Sequence, residues 1–312
     1  MINILNQSVL LEGGTIYDPY NNKKIKGSIL IQNGLINKVG EINLSNKMKR
    51  VDCKGKIIAP GFIDIHAHFR EPGREDKETL ATGARAAFSG GFTRVCVMPN
   101  TDPPLDTPES IRFILEKSID LPVDIFPIGA ITVGQKGMKL TEVGEMVKAG
   151  AVAISDDGLP VQNGQVLRNA LEYAQKYGIP VINHAEDIHL RNDGVMNEST
   201  LSTKLGLPGN PDISESVMVH RDLEVADYTG GRIHVPHVST KRSVDLIRKY
   251  KKMGVNVTAE VTPHHIGLTE ERLREDNTFA NVAPQLRQDS DRTALLEGLL
   301  DGPIDCLAPG HG

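Results

Sequence analysis

Two histidines one residue apart, His66 and His68, close an apolar run that begins at Phe62. In an extended strand residues i and i+2 point to one face, so both rings can reach one metal ion from the end of that strand. Arg70 follows two residues on, and Glu71-Pro72-Gly73 turns the chain away. A histidine pair, a fixed cation and a sharp turn suit the binding and polarisation of an anionic substrate. Arg70 in that loop is suited to grip a carboxylate through two N–H groups. Alone, His-x-His is a weak signal. It is strengthened because other polar residues fall at the ends of other apolar runs: Asn100 after 94–98, Asp156-Asp157-Gly158 after 151–154, His184 after 180–183, and His237 within 233–238. Imidazole nitrogen together with carboxylate oxygen suits zinc or a similar divalent ion.

Each of these residues also has a plainer reading. Asp-Asp-Gly favours turns, and Asn100 can simply turn the chain before Thr101. His184 can be a hydrogen-bonded core histidine and Arg70 a surface charge. Of Asp156 and Asp157, one bridges or binds metal and the other caps the loop; both assignments stay open. His234 and His237 are three apart and face opposite sides of a strand, which favours His237. His264-His265 reads as structural support, and His189 and His220 as ordinary surface or helix residues.

What must position these side chains is a repeating alternation. Strands are expected over 62–65, 94–98, 124–131, 151–154, 180–183, 233–238, 255–261 and 304–308. Helices are expected between them over 77–88, 109–118, 140–149, 166–177, 215–228, 243–253 and 292–300, with Gly90-Gly91, Gly178 and Gly254 at helix ends. Such an alternation gives a parallel sheet, and about eight units suit a TIM-type (β/α)8 barrel over 58–312. Strand C-termini of a barrel form one rim, which would gather the histidines into one pocket. A doubly wound open sheet is the alternative, but no glycine-rich phosphate fingerprint follows the first strand. Residues 1–57 are strand-rich with Gly13-Gly14 and Asn33-Gly34 turns, and read as part of a small β-sandwich.

The chain has 312 residues and a net charge of -5. No basic block stands out, which argues against nucleic acid as a partner. Cys53, Cys96 and Cys306 are widely separated and read as reduced, buried thiols of an intracellular protein. No leader pattern and no membrane-length apolar run is seen, so a cytoplasmic protein without a membrane partner is expected.

The segments His66-Ala67-His68-Phe69-Arg70-Glu71-Pro72-Gly73, Met98-Pro99-Asn100-Thr101, Ser155-Asp156-Asp157-Gly158, His184-Ala185-Glu186-Asp187, His237-Val238-Ser239-Thr240 and Thr258-Ala259-Glu260-Val261-Thr262-Pro263-His264-His265 resemble the type I dihydroorotases of the amidohydrolase superfamily. The likeness runs in the same order over almost the whole chain. Related allantoinases and dihydropyrimidinases usually carry a carboxylated lysine where this chain has Asp156-Asp157. The resemblance implies reversible ring closure of N-carbamoyl-L-aspartate to dihydroorotate in pyrimidine synthesis, with one or two zinc ions. It implies His66, His68, His184 and His237 as ligands and Asp157 as a bridging carboxylate, with Asp156 the alternative if the alignment slips by one. Arg70 and Asn100 would hold the substrate carboxylate. A homodimer and aspartate carbamoyltransferase are the partners it suggests.

The chain departs from that pattern in two places. Gly310, in Ala308-Pro309-Gly310-His311-Gly312, stands where the family has a catalytic aspartate that binds metal and moves a proton. His311 matches the histidine beside that aspartate. Ala283 replaces a substrate-binding asparagine. Weak or no turnover is therefore expected, since general acid–base help is worth about 10²–10⁴-fold. Two other readings follow: a non-catalytic homologue supporting aspartate carbamoyltransferase, or a hydrolase of another cyclic amide. The family's final helix and strands have no counterpart after 308, so exposed apolar surface and strand edges are expected as well.

Overall fold

The computed structural model describes residues 8–42, 48–274 and 278–311. Two compact units divide between Phe62 and Ile63. The expected boundary at 57/58 falls short because Ile57 and Ile58 pair with Thr15 and Ile16 and so belong to the first unit.

The first unit is one sheet of β1 (Val9–Asp18), β2 (Lys23–Gln32), β3 (Leu35–Gly40), β4 (Lys49–Asp52) and β5 (Ile57–Ile58), in the order β3-β2-β1-β4 with β5 also on β1. β1, β2 and β3 pair antiparallel, while β4 and β5 lie parallel to β1. Asn33-Gly34 makes the tight turn into β3, both residues at positive φ, as a two-residue hairpin requires. Among the described residues no second layer of strands covers this sheet, so the expected sandwich is met only as its single sheet. Leu35 and Ile36 on β3 are exposed.

The second unit alternates strand and helix. Its elements are β6 (Phe62–Ala67, starting at the boundary), α1 (Leu80–Ser89), β7 (Phe92–Val97), α2 (Pro108–Lys117), β8 (Asp124–Pro127), α3 (Val143–Ala149), β9 (Ile154–Ser155), α4 (Gly164–Tyr177) and β10 (Val181–Ile182). After an excursion of α5 (Ile188–Arg191), β11 (Met196–Asn197), α6 (Thr200–Leu205) and β12 (Gly209–Asn210) come α7 (Ile213–Thr229), β13 (Ile233–Val235), α8 (Lys241–Met253), β14 (Val257–Val261), α9 (Pro263–Gly267), α10 (Asp289–Asp301) and β15 (Cys306–Leu307). Parallel strands run β6-β7-β8 and β9-β10-β13-β14-β15. Isolated parallel bridges Gly129–Ile154 and Ala67–His311 join the ends of these two sheets. Strands adjacent in the parallel sheets follow chain order, unlike the reversed order of a doubly wound sheet.

The helices form for local reasons. α4 buries Val166, Leu167, Ala170, Leu171 and Ala174, one helical stripe, and ends at Gly178 in the left-handed conformation. α2 begins with Thr107 and Ser110 capping each other and Pro108 in the first turn. These stripes pack on β-branched strand residues such as Val95, Ile125, Val181, Ile233 and Val257 in one continuous core. Cys53 is buried, Cys96 and Cys306 are half-buried, and all three are free thiols. No helix among the described residues is long and apolar enough to cross a membrane.

Candidate metal centre

β6 delivers His66 at its buried end, and His68 follows directly. The loop after β9 delivers Asp157, the loop after β10 delivers His184, and the loop after β13 delivers His237. These residues meet. Asp157 Oδ2 lies 3.4 Å from His66 Nε2 and 3.5 Å from His68 Nε2. Asp157 Oδ1 lies 3.2 Å from His237 Nε2 and 3.8 Å from His184 Nδ1. Each oxygen of one carboxylate thus faces one pair of histidines, and His184 Nδ1 and His237 Nε2 stand 3.0 Å apart. Two groups capable of holding a metal ion result, His66-His68-Asp157 and Asp157-His184-His237, with Asp157 common to both.

In three of the four rings the nitrogen turned away from Asp157 has its own partner. His66 Nδ1 lies 2.6 Å from Glu260 Oε1, His68 Nδ1 lies 2.8 Å from Asn100 Oδ1, and His184 Nε2 lies 3.6 Å from Glu186 Oε2. Carboxylate or amide support behind a ring fixes which nitrogen it offers a metal. Asn100 therefore supports His68 directly, a role the sequence reading did not assign it.

Asp156 does something else. It accepts the backbone N–H groups of Ile131 at 2.8 Å and Thr132 at 3.1 Å, and the Thr132 hydroxyl. It ties the loop after β8 to the loop carrying Asp157. Asp156→Ala is expected to leave the buried Thr132 N–H unpaired, the Ile131 N–H keeping the Ser155 carbonyl at 3.2 Å, and to cost about 1–3 kcal/mol. Urea unfolding reads that loss while zinc stoichiometry stays at the parent value; zinc loss without destabilisation would make Asp156 the ligand instead.

The charges balance around the shared carboxylate. Burial would raise Asp157, but the His66 charge and hydrogen bonds from His184, His237 and His66 hold it well below the usual carboxylate range. Burial opposes charge on His66, yet Asp157 and Glu260 lift it well above an ordinary histidine. Burial likewise opposes charge on His184, which Asp157 and Glu186 raise to about 9. Burial pushes His68 down to about 4, with the His66 and Arg70 charges adding to it. The surroundings favour positive charge on His66 and His184 together, and a dication brings as much. The donor set, four imidazoles and one carboxylate, suits a divalent metal ion.

Arg70 sits two residues past His68 with φ at 57°, the left-handed region that a branched or long side chain rarely adopts. Its Nε is buried and has no hydrogen-bond partner among the described residues. Burial lowers its pKa, the Asp157 charge opposing this. A buried, unmatched guanidinium N–H beside the histidines is an anion-binding feature.

Other expectations separate cleanly. His265 is buried, with Nδ1 2.6 Å from Thr262 Oγ1 and Nε2 3.0 Å from the Pro284 carbonyl, a structural role. His264 is only half-buried, and His220 faces Glu224 at the surface. His234 does not join Asp157; its Nε2 lies 3.2 Å from Glu260 Oε2. His311 turns to Glu78 Oε2 at 2.9 Å, while its carbonyl accepts the His68 N–H. Gly310 has φ at 67°, and a Cβ placed on it would meet Thr262 Cγ2 at 3.4 Å and His264 Cε1 at 3.6 Å. Gly312 lies outside the described residues. The sequence assigns Glu260 and Glu186 no role, although Glu260 stands out as a lone charge within the strand Val257–Val261.

A family model described as Dihydro-orotase-like matches residues 55–243. The dihydroorotase of Desulforapulum autotrophicum is 45% identical over 97% of this chain and 72% of its own length. Those of Acetivibrio thermocellus and Pelotomaculum thermopropionicum are 46% and 48% identical, each over 97% of this chain and 71% of theirs. Among solved structures, the L-hydantoinase (dihydropyrimidinase) from Arthrobacter aurescens aligns with a TM-score of 0.84 over 98% of this chain and 69% of that one, at 21% identity. The dihydropyrimidinase from Brevibacillus agri aligns with a TM-score of 0.82 over 97% and 68%, at 19% identity. The shared architecture is the α/β fold of the cyclic-amide hydrolases named in those structures, and at such identity it speaks for the fold alone. The sequence likeness is closer: the chain belongs to the dihydroorotase-like family.

Proposed function

We propose that this chain is a dihydroorotase, a zinc-dependent cyclic-amide hydrolase that interconverts N-carbamoyl-L-aspartate and dihydroorotate on a TIM-type (β/α)8 barrel. The observation that carries this is Asp157 facing one histidine pair with each oxygen, in a chain whose relatives at 42–48% identity are dihydroorotases. The bridges Gly129–Ile154 and Ala67–His311 support the barrel reading, since they link the two parallel sheets at both ends.

His66, His68, His184 and His237 would hold zinc, one or two ions, with Asp157 between them. Zinc bound there supplies a Lewis acid that polarises an amide carbonyl and makes water acidic near neutral pH. The chain's own residues do the rest. Asn100 and Glu260 hold His68 and His66 by Nδ1, so that their Nε2 atoms face Asp157. Arg70 offers its unpaired Nε–H to the ring's carboxylate and so orients the amide toward Asp157. Burial of His66, His184, His237 and Asp157 keeps bulk water from screening these charges. Gly310 has no side chain to move a proton, so turnover is expected to be slow.

The test offers the zinc-loaded chain dihydroorotate, dihydrouracil and an uncharged hydantoin. Binding and slow opening of dihydroorotate alone support the reading; hydrolysis of the uncharged rings with dihydroorotate left intact contradicts it. Arg70→Leu is expected to weaken dihydroorotate binding about 10–100-fold, the worth of a charged hydrogen bond. Calorimetric titration measures it, and unchanged affinity would remove Arg70 from the substrate site.

A further inference from the structure

Glu260 is 1% exposed on β14 and belongs to neither metal-capable group. A buried carboxylate persists only when its lone pairs are filled. Glu260 Oε1 lies 2.6 Å from His66 Nδ1 and accepts the His237 backbone N–H at 3.3 Å. Its Oε2 lies 3.2 Å from His234 Nε2, and His234 Nδ1 lies 2.8 Å from the Thr258 hydroxyl. The directions of these bonds follow from chemistry. An ionised carboxylate only accepts, so His66 presents Nδ1–H to it and keeps its lone pair on Nε2. That Nε2 is the atom 3.4 Å from Asp157 Oδ2. The Thr258 hydroxyl donates to His234 Nδ1, and His234 Nε2–H donates to Glu260.

We propose that Glu260 is a positioning residue for both halves of the centre: one oxygen sets the ring tautomer of His66 and pins the backbone of His237, while His234 clamps the other. The inference rests on the zinc reading above. His66 belongs to one histidine pair and His237 to the other, so a single oxygen couples them. His237 has φ at 34°, a strained position for a non-glycine residue that needs such a tether. Without the carboxylate, His66 is free to take the Nε2–H tautomer, which blocks the nitrogen facing Asp157.

The experiment measures zinc affinity by competition with a chromophoric chelator for the parent chain, Glu260→Leu and Glu260→Gln. Melting temperatures are recorded alongside, and imidazole nitrogen NMR reads, in the zinc-loaded parent, which His66 nitrogen carries the hydrogen. Glu260→Leu is expected to bind zinc about 10–100-fold more weakly. Glu260→Gln is expected to recover most of that, because its amide oxygen still accepts from His66 and His237, while its NH2 donates to His234 Nε2 once that ring carries its hydrogen on Nδ1 and donates to the Thr258 hydroxyl. The parent is expected to show His66 as Nδ1–H. A folded Glu260→Leu chain that binds zinc as tightly as the parent overturns the proposal. Should that variant not fold, His66 found as Nε2–H, or a Gln variant as weak as an alanine substitution of His66, overturns it. A parent that binds no zinc removes the centre itself and this inference with it; a zinc-binding parent with an unaffected Leu variant removes only the role of Glu260.

Discussion

Gly310→Asp is expected to raise dihydroorotate turnover by about 10²–10⁴-fold, the usual worth of a positioned general acid–base group. Two features of the structure make the substitution feasible. A Cβ at Gly310 meets Thr262 Cγ2 at 3.4 Å and His264 Cε1 at 3.6 Å, ordinary contact distances. The φ of 67° is left-handed, but aspartate is among the residues that tolerate this region. The position follows β15 and precedes His311, whose carbonyl accepts the His68 N–H. A carboxylate there restores the group that the dihydroorotase resemblance calls for. Steady-state rates for the zinc-loaded parent and Gly310→Asp decide it. Equal rates would mean that the missing aspartate does not limit the reaction.

The second large effect is a loss. In the Gly310→Asp background, Asp157→Asn is expected to remove about 10³-fold of that rate and most of the bound zinc. An asparagine keeps the shape but offers one neutral oxygen where the carboxylate offers two anionic ones. The several kcal/mol that a Lewis acid contributes convert to that factor at about 1.4 kcal/mol per tenfold. The same change in Asp156, which accepts only loop N–H groups and the Thr132 hydroxyl, is expected to leave the zinc in place. The contrast between two adjacent aspartates separates a centre built on Asp157 from a generally acidic loop. Equal loss of zinc in both variants would contradict it.

The strand-and-helix alternation and the histidine positions were legible because they depend on local sequence. His66 and His68 share a face by strand periodicity alone, and Gly178 and Gly254 end helices for the reason any left-handed residue does. What stayed hidden depends on distant partners. Asp156 and Asp157 are neighbours of one type; the resemblance favours Asp157, and the packing of residues 131 and 132 against Asp156 supplies the physical difference between them. The support that Asn100 gives His68 is not legible, because the two lie 32 residues apart; its expected contact with substrate is a separate role. His234 stands apart from Asp157, but strand alternation does not account for it: β13 ends at Val235, and His237 lies in the loop beyond it with φ at 34°; Glu260 reaches both, one through its ring and one through its backbone. The excursion from α5 to β12 went unread because its elements are too short for periodicity to register. Its Asn210 nonetheless hydrogen-bonds Glu186, the carboxylate beside His184.

The most direct test of the metal centre is anomalous diffraction at the zinc edge from crystals of the zinc-loaded parent chain. Zinc is expected against Asp157, at the His66–His68 side, the His184–His237 side, or both, with no peak at Asp156. Zinc bound only elsewhere, or none in a chain that still opens dihydroorotate, would contradict a centre built on Asp157.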